Sequence, residues 1–87
     1  MCHVILHFSR KTGCMCSLNE HGEFIIALVL SACTANEGDL LVGDSSCAGM
    51  GELFNAAQDV MLNVDILYRT RSEVYARTLL RNLLANH

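Results

Sequence analysis

The spacing of hydrophobic and polar positions changes along the chain, and each spacing predicts an element. Cys2, Val4, Leu6 and Phe8 alternate with His3, Ile5 and His7, a period of two that predicts a half-buried strand. Ser9 to Gly13 is a polar, glycine-containing loop of hairpin type, and Cys14 to Leu18 is a second short strand. Asn19-Glu20-His21-Gly22 turns the chain again, because Asn and Gly accept the dihedrals that tight turns demand. Phe24 to Leu30 is apolar at every position, as in a strand covered on both faces or a buried helix. Its Ile and Val content favours the strand. Thr34 to Gly38 is the next loop, and Asp39 to Val42 adds a fourth strand. Residues 2–42 are therefore expected to form an antiparallel β-meander.

Past the Gly- and Ser-rich stretch Gly43 to Gly51, the period lengthens. Leu53, Ala57, Val60, Met61, Val64 and Leu67 recur at three- and four-residue steps, which predicts a helix over 51–68. Thr70-Arg71-Ser72-Glu73 has capping-box spacing and predicts a second helix over 71–86. Val74, Tyr75, Leu79, Leu80, Leu83 and Leu84 supply its apolar surface, and no proline interrupts either helix. Strands first and helices second define an α+β fold, and 87 residues fit a single domain, 1–87.

Val29-Leu30-Ser31-Ala32-Cys33 and Gly38-Asp39-Leu40, both within Gly22 to Gly43, resemble one unit of the plant pentatricopeptide-repeat proteins. The stretch covers about a quarter of the chain, and repeat arrays need at least about three units to bury a core. The resemblance therefore implies no function for this chain.

Composition adds an expectation of association. Hydrophobic residues make up 52% of the chain, more than so small a monomer hides easily, which points to a partner surface or a homodimer. The net charge is −3, with no general basic face for nucleic acid. It is unevenly spread: the first fifty residues carry two basic groups against five acidic ones, and the last nineteen carry four against one. The five cysteines are odd in number and lie mostly in apolar runs, which suits reduced thiols and a cytoplasmic protein better than a disulfide scaffold. The longest apolar run, Phe24 to Leu30, falls short of the roughly 20 residues of a membrane span. Leu30-Ser31-Ala32-Cys33 has the look of a lipoprotein cleavage site, but Glu20 and Glu23 precede it and cleavage would discard the first strands.

Three function classes follow. The leading one is a non-enzymatic interaction or regulatory module of inhibitor or adaptor type, self-associating through the C-terminal helices, with no cofactor. Arg77 and Arg81 lie one turn apart and present planar forks, while Leu80 and Leu84 extend an apolar stripe. The second is a zinc- or thiol-dependent protein. Cys14 and Cys16 share one face of a strand with His21 beyond it, although no Cys-x-x-Cys knuckle is present. Cys47, in a loop expected to precede a helix, is the best candidate for a reactive thiol. The third is a nucleic-acid contact through Arg69, Arg71, Arg77 and Arg81. Gly43, Gly49 and Gly51 lack the Lys-Ser or Lys-Thr of a phosphate loop, and Glu52 in its place would repel phosphate.

Overall fold

A computed structural model describes residues 2–30, 35–44 and 48–85. Chain reversals at the predicted turns set up its first three strands, β1 (Cys2–Phe8), β2 (Cys14–Asn19) and β3 (Phe24–Val29). Gly13 makes the first reversal possible. Its φ of 78° is left-handed, and a Cβ there would stand 2.9 Å from the Val29 carbonyl oxygen. At the second reversal the Asn19 carboxamide oxygen accepts from the backbone N–H groups of His21 and Glu23, an Asx-type turn.

The remaining strands are β4 (Leu40–Val42), β5 (Gly49–Asn55) and β6 (Val60–Thr70), followed by one helix, α1 (Glu73–Ala85). The six strands close into an antiparallel barrel in the order β1-β2-β3-β6-β5-β4, with β4 returning to pair with β1. This overturns the α+β expectation of a meander over 2–42 followed by two helices. β4 does not continue the meander beside β3; β6 takes that place. Gly22 to Gly43 contributes β3 and β4 to the barrel, while Ser31 to Thr34 lie outside the described residues.

The helix expected over 51–68 is instead the β5–β6 hairpin. Its three- and four-residue spacing mixed two faces. Leu53, Leu62, Val64 and Ile66 point into the barrel with a period of two, while Met61 faces outward and Ala57 sits in the turn. The turn has its own chemistry. The Asn55 carboxamide oxygen accepts from the N–H groups of Ala57 and Gln58, and Asp59 takes a φ of 56°. The helix expected over 71–86 is present as α1, capped by Ser72 rather than Thr70. The Ser72 hydroxyl accepts from the Tyr75 N–H at 3.2 Å.

Two apolar clusters result. Inside the barrel, Ile5, Met15, Ile25, Leu41, Leu53, Leu62 and Val64 are buried against one another. Outside it, α1 lies over β2 and β3, setting Ala76, Leu80, Leu83 and Leu84 against Cys14, Cys16, Phe24, Ile26 and Leu28. β3 is apolar throughout because one face looks into the barrel and the other looks at the helix. Among the described residues no helix is long and apolar enough to cross a membrane.

Candidate interaction surface and the groove beneath the helix

A β-bulge fixes the outer surface of β1. Its register against β2 slips between Ile5 and His7, so Leu6 and His7 both face outward while Ile5 and Phe8 face the core. The half-buried strand expected from the alternation is present, with His3 and Ile5 on its buried side and Cys2, Val4 and Leu6 on the other. These last three are exposed. Two neighbours on β4 join them: Leu40 stands opposite Val4, and Val42 opposite Cys2. Val4, Leu6, Leu40 and Val42 keep 39–44% of their surface open, and Cys2 is an exposed thiol among them. The outward positions of β1 and β4 from Cys2 to Leu6 and Leu40 to Val42 therefore form an uncharged apolar band. Half-buried Leu18, opposite Val4, and Phe54, opposite Val42, flank it.

On the other side of Leu6 the surface dips into a groove of ≈270 Å³ beneath α1, where His7 and Cys16 meet Phe24, Glu73, Arg77 and Leu80. His7 and Cys16 are cross-strand partners. The His7 Nδ1 lies 3.5 Å from a Glu37 carboxylate oxygen, and its Nε2 is buried with no hydrogen-bond partner among the described residues. The arrangement has the residue types of a nucleophile, a base and an orienting acid, but its thiol is unsuited to the role. Burial, and then the neighbouring Cys14, pushes the Cys16 thiol up to about 11, so it stays protonated at neutral pH. Burial pushes the Cys14 thiol up as well.

Cys14 and Cys16 do lie together beneath the helix. His21 is exposed in the β2–β3 turn, and no group of three His, Cys, Asp or Glu side chains suited to a metal occurs among the described residues. Cys47 falls outside the described residues, and the element that follows it is β5 rather than the expected helix.

The arginines are partly engaged. Arg77 donates to Glu73 at 3.3 Å, one turn earlier on the helix, and Arg69 lies 3.5 Å from Glu23. The Glu23 carboxyl is held below its usual range, first by the Asn19 side-chain amide and then by Arg69 and Arg71. Arg71 and Arg81 are exposed. Leu80 and Leu84 rest partly buried against the barrel, so much of the apolar stripe read from the sequence is used within the chain.

Sequence reasoning missed the band of Val4, Leu6, Leu40 and Val42, although two signals were present. β1 carries apolar residues on both parities, and Leu40-Leu41-Val42 is apolar at every position. Among the described residues the one helix lies over β2 and β3 and leaves the outer parity of β1 and β4 uncovered. The chain matches no family model, no curated protein and no solved structure.

Proposed function

We propose that this protein is a non-enzymatic interaction module whose contact surface is the outer face of β1 and β4. One observation carries the reading: Val4, Leu6, Leu40 and Val42 expose an unbroken apolar band on two adjacent strands. The largest apolar patch on a monomer, typically about 300–600 Å², is often a functional surface. Single exposed apolar residues carry no such meaning. The protonated Cys16 thiol and the ion pairs on Arg69 and Arg77 weigh against the thiol and nucleic-acid readings.

The test is the fluorescence of an apolar dye added to the folded protein at high dilution. Enhancement that Leu40→Glu removes and Tyr75→Glu leaves intact supports the band as the contact surface. Dye binding that is absent, or that Leu40→Glu does not alter, overturns it.

A further inference from the structure

We infer that the occupant of this band is a second copy of the same chain, docked face to face about a two-fold axis that lies between the two copies, over β1 and β4. The inference rests on the interaction reading above and goes further, by naming the partner.

Charge is the first argument. An isologous contact lays a surface on itself, so any charge near the axis meets its own like. Outward positions Cys2, Val4, Leu6, Leu40 and Val42 carry no charge, although the chain as a whole has a net charge of −3. Within the band a partner finds no charge to pair with, whereas a second copy meets an apolar surface of its own size.

Area is the second. The five side chains present on the order of 300 Å² of apolar surface, the size of the largest patch on a typical monomer. With Leu18 and Phe54 at the margins and a polar rim, the contact approaches the roughly 600–800 Å² per partner at the lower end of specific interfaces. The expected complex is a weak dimer, with dissociation in roughly the micromolar range, the weak end for specific interfaces.

The rim gives the association a signature. Glu37, beside His7 at one end, and Glu52, two residues before Phe54, are exposed acids flanking the band. Two copies bring two acidic rims together, so added salt strengthens the dimer by screening them.

Cys2 gives a direct readout. Opposed sheets pack about 10 Å apart, so with the axis lying over the band the two Cys2 thiols lie within roughly 15 Å of each other. The experiment combines sedimentation of the wild-type chain up to about 100 μM, a concentration well above the expected dissociation range, with cross-linking by a short bismaleimide. The expected result is a species of twice 9.6 kDa that Val4→Asp and Leu40→Asp shift to monomer, and a cross-linked dimer that Cys2→Ser abolishes. The cross-link reads the native chain, so it decides even where a variant fails to fold. A monomer throughout that binds the apolar dye through Leu40 overturns self-association and leaves the interaction reading standing. A monomer with no dye binding overturns both. A dimer that survives Val4→Asp and Leu40→Asp and gives no Cys2 cross-link overturns this interface.

Discussion

Val4 and Leu40 stand directly opposite each other on adjacent antiparallel strands, and each leaves 41% of its surface open to water. Cross-strand apolar pairs ordinarily stabilise a sheet by covering one another, contributing roughly 0.2–1 kcal/mol. This pair is only half covered, because the one helix lies over β2 and β3. Replacing either residue by Asp is therefore expected to cost at most about 1 kcal/mol of folding stability in urea, the span of strand propensities, while removing association. A loss of several kcal/mol on the same curve would mean that the pair is part of the core.

Leu80 and Leu84 should behave in the opposite way. Both pack on the outer face of the barrel together with Ala76 and Leu83. Truncating either to Ala is expected to lower stability by about 1–2 kcal/mol, below the range for fully buried leucines because each is only partly buried. Dimer content at equal folded concentration should stay unchanged. Urea titration beside sedimentation separates the two effects.

Gly13 and Gly22 make a matched pair. Both have a φ of 78°, but a Cβ on Gly13 meets the Val29 carbonyl oxygen at 2.9 Å, and one on Gly22 meets nothing within 4 Å. Gly22→Ala should cost about 1 kcal/mol for the left-handed backbone alone. Gly13→Ala should cost clearly more, since backbone must move to admit the methyl group. Equal melting temperatures for the two variants would contradict the close approach at Gly13.

Acid should destabilise the fold in two steps. Burial is the chief reason that His3 sits below its ordinary value, with the Gly43 carbonyl opposing it. The folded state therefore favours the neutral ring, and stability declines as pH falls below about 6.5, where the unfolded histidine takes up its proton. Asp39 is also held low, first by the Asn55 side-chain amide, with further hydrogen bonds from the Asn36 backbone and the Gln58 side chain. Its contribution is present above the unfolded carboxyl value of about 3.9 and is lost as pH falls through the lower folded value. Asp39→Ala should cost about 1–3 kcal/mol by removing the carboxylate that accepts from the buried Asn55 side-chain amide, and should flatten the lower step. A wild-type stability curve that rises between pH 6 and 3 would contradict both assignments.

The thiols should separate by reactivity. Cys2 is exposed, whereas Cys14 and Cys16 are buried beneath the helix. With Cys33 and Cys47 replaced by Ser, a disulfide reagent at pH 8 should modify one thiol quickly and the other two only after unfolding. Alkali reveals the same burial as stability. Because the folded Cys16 value of about 11 exceeds its ordinary 9.0, its contribution is complete below pH 9 and is lost as pH rises toward 11. Rapid modification of all three thiols in the native protein would sink this arrangement.

Local chemistry made part of the fold legible. The Asn19 and Gly13 turns and the C-terminal helix could be read because each depends on neighbours in sequence, and for β3 the Ile and Val content favoured a strand over a buried helix. The β5–β6 hairpin could not. Val60, Leu62, Val64 and Ile66 alternate, but Leu53, Ala57 and Met61 imitate a helical stripe when the inner, outer and turn positions are counted together. Barrel closure was also hidden, since β4 joins β1 through pairs 36 and more positions apart, and sequence spacing does not encode that pairing. The same loss explains the site. The alternation in β1 predicts a half-buried strand but not its buried side, because which parity faces the core depends on strands that pair from far away.

Hydroxyl-radical footprinting of the wild-type chain at low and high concentration reads the contact surface without any substitution. Labelling at Val4, Leu6, Leu40 and Val42 is expected to fall as concentration rises, while Val74 and Tyr75, exposed on the helix, stay constant. Labelling of the band that does not change with concentration, or protection that appears at Val74 and Tyr75 instead, would contradict the assignment of β1 and β4 as the self-association face.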